Sequence, residues 1–188
     1  MNISDVKRTM REKNIPPETI DRFVYPETEA GTIDEKINFA GQMDALLDKS
    51  RILSVMEEQG CEKYPHDSDS GLMKKMTGKT VEERVAILNT YEMYEQPHCK
   101  INDDGTLGVF IWFKGDDGRY YCVCPDMEGR RDAPPVSLTY CGCCGGHLKY
   151  HLQNSLGVSL KLKKIVSSPL NSCGGKYCEF LFEMTPNE

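Results

Sequence analysis

Cysteine, histidine and glycine are concentrated in one segment, YCGCCGGHLKYH, at residues 140–151. Its cysteines and histidines are Cys141, Cys143, Cys144, His147 and His151. Thiolate sulfur and imidazole nitrogen are ligands that zinc prefers. A thiol at the start of a helix can instead act as a nucleophile. The segment therefore indicates either metal binding or thiol reactivity.

The spacing within this segment predicts a helix that begins near Gly145 and ends before Gly157, a residue type that often terminates helices. At about 100° per residue, Cys144, His147 and His151 fall within about 60° of one another on the helix surface. They border the apolar stripe that should pack on a sheet. Two histidines one turn apart can both reach a single ion.

Two further thiols, Cys122 and Cys124, alternate in RYYCVC, which predicts a strand ending at Pro125 beneath the helix. Their Cα atoms would lie about 7 Å apart on an extended strand, so one ion can use both only if Pro125 bends the chain. The sequence predicts a tetrahedral zinc site of imidazoles and thiolates. Its candidate ligands are Cys122, Cys124, Cys141, Cys144, His147 and His151.

Other interpretations of the same residues remain open. An iron–sulfur cluster held by the cysteines alone is the alternative cofactor, although it leaves the histidines unexplained. With no cofactor, the thiols would be small buried hydrophobic groups. In a catalytic interpretation, Cys143 or Cys144 is activated by the helix dipole, with His147 as the base. Cys61, Cys99, Cys173 and His98 are expected to be structural or incidental.

Composition excludes several classes of protein. The 188 residues carry a net charge of −6 and include no basic patch that would bind nucleic acid. No apolar run approaches the roughly 18 residues needed to span a bilayer, so no membrane association is expected. The first residues resemble no signal peptide, which predicts a cytoplasmic protein. Its nine cysteines should then be thiols, ligands or catalytic groups rather than disulfides.

Helical patterns fill the first half of the chain. Ser4 is expected to cap a first helix, and Pro17 to begin a second. Capping boxes at Thr32 and Thr80 predict two more helices, the first of which should continue to near Gly60.

The second half has strand patterns. Residues 107–113 and 119–124 flank the turn GDDG and predict one hairpin. VSLKLKKIV and YCEFLFEM flank NSCGGK and predict another, with Cys178 on its inward face beside phenylalanines. The fold class is therefore α+β, with a helical region at residues 1–95. Residues 96–188 should form an antiparallel sheet with one inserted helix and a C-terminal hairpin, in one continuous domain.

Residues 135–184, with VSLTYCGCCGGHLKYHLQNSLG and GGKYCEFLFEM, resemble a cysteine-rich bacterial family of unknown function that is common in anaerobic Firmicutes. MEEQGC and RYYCVCP extend this resemblance upstream. More distantly, the helix, strand, glycine turn and C-x-F strand at Cys178 resemble the 4-vinyl reductase domain. That domain is related to haem nitric-oxide-binding domains, and the aminothiazoline-carboxylate hydrolase family ends in a similar strand. These distant resemblances imply a small-molecule pocket between helices and sheet, with the C-terminal hairpin as one wall.

Two functions follow as expectations. The first is a cytosolic small-molecule-binding or sensor protein with a cysteine and histidine metal site, in which zinc is the expected ion. The alternative is a small thiol-dependent hydrolase that acts on a small sulfur- or nitrogen-containing acid.

Overall fold

The α+β architecture predicted from the sequence is confirmed by the computed structural model, which describes residues 1–29, 31–61, 63, 71–90, 98–128 and 134–186. The helices in this part of the chain are α1 (Ile3–Glu12), α2 (Pro17–Ile20), α3 (Ile33–Leu46), α4 (Lys49–Met56), α5 (Gly71–Met76), α6 (Val81–Thr90) and α7 (Gly142–Leu156). The strands are β1 (His98–Ile101), β2 (Leu107–Ile111), β3 (Val158–Ser167) and β4 (Cys178–Pro186). Short 3₁₀ turns occupy Pro125–Met127 and Leu138–Cys141.

Capping residues set the helix starts in the N-terminal half. Both predicted capping boxes are present, since the backbone N–H groups of Thr32 and Thr80 donate to the glutamate side chains three residues later at 2.6 and 2.8 Å. The predicted cap of α1 is wrong by two residues. Asn2 caps this helix instead, through a 2.9 Å hydrogen bond from the Ser4 N–H to its side-chain oxygen.

The single long helix predicted from Thr32 to Gly60 is wrong, because two helices occupy this stretch. The chain leaves the helical conformation at Leu47, and Asp48 then caps α4 by accepting a 2.9 Å hydrogen bond from the Arg51 N–H. An aspartate that can bond to the backbone in this way favours a new helix start over a helix interior. Helix α5 was not predicted from the sequence.

The four strands form one antiparallel sheet in the order β1-β2-β4-β3. The predicted C-terminal hairpin is confirmed as β3 and β4, with Leu162 opposite Phe182. The predicted pairing of residues 107–113 with residues 119–124 is confirmed only next to the turn, where Lys114 and Tyr120 form an isolated antiparallel bridge. The chain does reverse at the GDDG turn, where the Tyr121 N–H donates to the Phe113 carbonyl at 2.8 Å. Farther from the turn, β1 and β4 pair with the two edges of β2. Residues 121–124 therefore find no open edge of β2 with which to pair.

Helix α7 lies between two hydrophobic clusters. The first is built by the N-terminal helices around the fully buried side chains of Phe39 and Met56, and it includes Cys143. The second lies between the sheet and the helices that cover it, around Phe180 and Phe182, and it includes Leu148 of α7. The N-terminal helices and the C-terminal sheet therefore both pack against α7. The division at residue 95 stays a prediction, because residues 91–97 lie outside the described ranges.

Glycines allow α7 to approach its neighbours closely. A Cβ atom at Gly146 would overlap the Gln59 carbonyl oxygen, and one at Gly142 would lie 2.6 Å from the Met56 Cβ. On the adjacent side, a Cβ at Gly145 would lie 2.9 Å from a methyl group of Leu162 in β3. These three residues remove the side-chain volume that would otherwise separate α7 from α4 and the sheet.

Polar side chains from two helices bind the two edge strands. Glu57, which is 7% exposed, accepts a hydrogen bond from the Leu162 N–H of β3 at 2.8 Å and lies 3.5 Å from the Lys149 ammonium of α7. At the opposite edge, Asn89 exchanges two hydrogen bonds with the backbone of Cys99 in β1, at 2.7 and 2.9 Å. No helix in the described residues is long and apolar enough to cross a membrane.

Replacing Gly146 with alanine should destabilise the fold by about 1–3 kcal/mol, because the new methyl group meets backbone that cannot move without separating α4 from α7. The matched control is Gly41→Ala, at an exposed position in α3 with no atom within 4 Å of the added Cβ. That change should stabilise the fold by about 0.5–1 kcal/mol through helix propensity. Urea unfolding of both variants measures the two effects. Equal midpoints for the two variants would contradict the close packing described for Gly146.

Candidate thiol site

Six cysteines from three chain segments, one of which forms the N-terminal end of α7, affect one another's pKa. They are Cys122, Cys124, Cys141, Cys143, Cys144 and Cys178, which we call the thiol cluster. Mutual electrostatic effects connect its members, since Cys122 and Cys141 each raise the pKa of both Cys144 and Cys178. All nine cysteines of the chain are free thiols.

Cys122 and Cys124 reach the cluster through an irregular segment rather than through the predicted strand. The Cys124 N–H donates to the Cys122 sulfur at 3.4 Å, which folds this segment on itself. Pro125 then begins the 3₁₀ turn at Pro125–Met127. The prediction of a strand here is wrong. The chain does bend at Pro125, which was the condition stated for one metal ion to bind both cysteines.

Helix α7 begins three residues earlier than predicted, at Gly142, and it ends as predicted at Gly157 with a left-handed φ of 69°. Cys143 and Cys144 consequently lie in its first turn. Cys143 points toward the N-terminal helices, whereas Cys144 packs on the sheet side. The two adjacent thiols therefore have different surroundings.

The two histidines of α7 lie side by side, with ring centroids 4.4 Å apart and both side chains half-buried. They follow Cys144 on one side of the helix, as the helical period predicted. Within the ranges that the structure describes, no three histidine, cysteine or acidic side chains are arranged to hold a metal ion. Zinc ligation by the six residues named from the sequence thus stays a prediction.

Burial keeps most of the cluster in the neutral thiol form. It raises the pKa of Cys122 to about 12 and that of Cys141 to about 11. The pKa of Cys144 is raised well above its usual value, first by burial and then by the neighbouring thiols. A thiolate in a dry environment lacks solvation, and a second thiolate nearby repels it. Cys144 is therefore disfavoured as the nucleophile of the catalytic interpretation.

Cys143 has the opposite property, because its pKa is lowered to about 7. The largest cause is a hydrogen bond that the Cys61 thiol donates to the Cys143 sulfur, and the positive amine of Met1 adds to it. Burial opposes both effects. The sequence predicted activation by the helix dipole and treated Cys61 as incidental. No motif spacing relates Cys61 to Cys143, so this partner was missed.

A charged group holds the 3₁₀ turn that follows Cys124. Asp126 lies 2.7 Å from the Lys36 ammonium and 3.7 Å from the Met1 amine. Burial tends to raise the pKa of Asp126, but the Lys36 hydrogen bond and the Met1 charge lower it overall. The buried Tyr140 interacts with both Asp126 and Cys124, and burial together with these two groups raises its pKa. These contacts fix the cluster to α3 and to the first residues of the chain.

A cleft of about 300 Å³ lies between the helices and the sheet, where the distant resemblances implied a pocket. Asp44 of α3, Leu53 of α4 and Ile165 of β3 contribute to its walls. Asp44 also accepts hydrogen bonds from the Ser137 and Thr139 hydroxyls, each at 2.5 Å. None of the described cysteines lines this cleft, and Cys178 is packed in the core as predicted.

The likeness of this chain to known proteins is weak. No protein-family model and no curated protein matches the chain. Among solved structures, the chain is similar to an H-NOX protein from S. oneidensis in the Fe(II)NO ligation state, with 12% identity and a TM-score of 0.30. The alignment covers 97% of this chain and 89% of that chain. At this TM-score the likeness assigns neither fold nor ligand, so the resemblance to haem nitric-oxide-binding domains stays a prediction.

Alkylation should distinguish Cys143 from the remaining buried cluster thiols. Because only the thiolate reacts, the rate at Cys143 should rise with pH through a midpoint near 7, following the pKa of about 7. Cys122 and Cys141 should remain unreactive below about pH 9. Iodoacetamide labelling of native protein, followed by peptide mass spectrometry, measures each site. Replacing Cys61 with serine weakens the hydrogen bond and should move the Cys143 midpoint upward. A midpoint above pH 8 in the unmodified protein would contradict the described contact.

Proposed function

We propose that this protein is a small-molecule-binding or sensor protein whose thiol cluster binds a thiophilic metal ion, with zinc as the first candidate. The observation that supports this proposal is the convergence of six thiols from three segments at one end of α7. Free cysteines can pack as small apolar groups, but these six also supply more sulfur ligands than one tetrahedral zinc ion requires.

The ionisation of the cluster suits a site that is completed by a cation. Thiols with raised pKa values are protonated until a metal ion displaces their protons, so binding is coupled to proton release. A divalent cation also removes the repulsion between neighbouring thiolates. We assign the ligands to Cys122, Cys124, Cys141 and Cys144, with His147 and His151 as the imidazoles available beside Cys144. Rotation of these side chains must accompany binding.

The cleft between α3, α4 and β3 provides a way for an organic ligand to affect the same cluster. Leu138 lines this cleft and begins the 3₁₀ turn that ends at Cys141. A ligand that displaces this turn would therefore shift a cluster thiol. This connection is the basis for proposing a sensor rather than a purely structural metal site.

A thiol-dependent hydrolase is the second candidate, and the lowered pKa of Cys143 favours it. A thiolate available at neutral pH is the group that such an enzyme requires. His147 lies one helical turn beyond Cys143 and is its candidate base. A small sulfur- or nitrogen-containing acid is the substrate class that the distant resemblance implies.

Zinc titration of the reduced protein under anaerobic conditions should saturate at about one ion per chain, with release of protons to the buffer. Competition with a chromophoric chelator measures the affinity. Replacing Cys122 and Cys141 together with alanine should abolish binding, because two of the assigned thiolates are lost. A double variant that retains full zinc occupancy would refute the thiol cluster as the site.

The matched control is Cys99→Ala, because Cys99 is also a buried thiol and burial alone accounts for its raised pKa. This variant should bind zinc as the unmodified protein does. His147→Ala combined with His151→Ala tests the imidazoles separately, and a lower affinity is expected. Visible absorbance of the protein as purified would instead favour an iron–sulfur cluster.

A further inference from the structure

The cleft between α3, α4 and β3 combines aliphatic walls with one negative and one positive side chain. Its charged groups are the Asp44 carboxylate and the Lys49 ammonium, and both side chains are exposed to solvent. Neither forms an ion pair with another residue in the part of the chain that the structure describes. The aliphatic side chains of the walls are Leu47, Ile52, Leu53, Leu138 and Ile165.

Both charges lie at the helix ends where they are least favourable. Asp44 is in the last turn of α3, and Lys49 is the first residue of α4. Acidic side chains stabilise a helix near its N-terminus and basic ones near its C-terminus, so each of these charges opposes the dipole of its own helix. Asp48, which caps α4, does not compensate Lys49, because it pairs with Arg51 at 3.4 Å. Side chains that break a local rule in this way are expected where a site is functional.

Two hydroxyl groups hold the Asp44 carboxylate in place at the cleft. Ser137 donates to one of its oxygens and Thr139 to the other, each at 2.5 Å. A carboxylate has about four acceptor positions, so two such bonds leave Asp44 able to accept more. Both donors also line the cleft. Asp44 is therefore a positioned acceptor with capacity for a cationic group.

We propose that this cleft binds a small aliphatic α-amino acid as the zwitterion. The ligand ammonium donates to Asp44, its carboxylate accepts from Lys49, and its hydrocarbon side chain packs on the aliphatic walls. The cleft volume of about 300 Å³ is at the lower end of the range of small-molecule sites, which suits a ligand of this size. Any effect of the amino acid on the thiol cluster rests on the proposed sensor function, whereas binding at the cleft needs no metal ion.

Charge complementarity favours the zwitterion over related ligands. A simple carboxylic acid would place its negative charge near Asp44, and a simple amine would place its positive charge near Lys49. A purely apolar molecule would remove both charged groups from water without pairing either of them. An amino acid with an aliphatic side chain satisfies both charges and the apolar walls together.

Isothermal titration calorimetry of the reduced, metal-free full-length protein with L-leucine tests the proposal. We expect one binding site per chain. Isocaproate lacks only the amino group of leucine, and isoamylamine lacks only its carboxylate. Each should bind on the order of tenfold more weakly than leucine, because one charged hydrogen bond is lost. Failure of leucine to bind at millimolar concentration, or equal affinities for the three compounds, would overturn the proposal.

Two substitutions identify the groups that recognise each end of the ligand. Asp44→Asn should weaken leucine binding about tenfold but should not weaken isocaproate binding, because isocaproate has no ammonium. Lys49→Gln should weaken leucine binding similarly and leave isoamylamine binding unaffected. A general disturbance of the cleft would instead weaken all the compounds alike, which would contradict the assigned roles.

The matched control is Asp103→Asn, the same chemical change at an exposed position between β1 and β2 and away from the cleft. This variant should bind leucine as the unmodified protein does. The leucine titration uses metal-free protein, and the zinc titration uses protein without leucine. Failed zinc binding would therefore refute the metal site and leave the amino acid site standing, and failed leucine binding would do the reverse.

Discussion

The contact between α7 and the C-terminal end of α4 is the constraint on which the remaining structure depends. It requires Gly142 and Gly146 on one side of the helix, and Gly145 on the side that faces the sheet. This contact joins the cluster around the N-terminal helices to the one beneath the sheet, because α7 contributes residues to both. Burial of apolar surface on two sides of one helix makes the two clusters depend on each other for stability.

The same contact explains why two adjacent cysteines differ in ionisation. Cys143 faces the end of α4, where the Cys61 thiol can donate to it, and its pKa is lowered. Cys144 points to the sheet side, where burial and neighbouring thiols raise its pKa. The rotation of about 100° between adjacent helical residues thus separates a thiol with a lowered pKa from one with a raised pKa. The local helix geometry, rather than the residue type, determines the chemistry available at each position.

Local patterns in the sequence predicted much of the fold. The capping boxes at Thr32 and Thr80, the stop at Gly157 and the β3–β4 hairpin depend on neighbouring residues, so the chain alone indicates them. The strand predicted at residues 119–124 failed for a non-local reason, because β1 and β4 occupy both edges of β2. Alternation of side chains shows that a segment can form a strand, but not whether a partner is available.

The candidate site was predictable only in part, for a related reason. The helical period placed Cys144, His147 and His151 on one side of α7, and the described helix agrees. The Cys61 hydrogen bond joins residues far apart in the chain, and no periodicity encodes it. The contacts of Asp126 with Lys36 and the Met1 amine are similarly distant in sequence. Pairs of this kind become visible only when tertiary packing is known.

The side chains at the sheet edges have a consequence for self-association. An edge strand presents backbone groups to which another chain can add a strand. On one edge of the sheet, Asn89 forms hydrogen bonds with both the N–H and the carbonyl of Cys99. On the other edge, Glu57 accepts a hydrogen bond from the Leu162 N–H. At these positions an incoming strand would have to displace a bond already made, and β3 also presents lysines along its solvent side. The fold thereby discourages the edge-to-edge stacking that leads to fibrils.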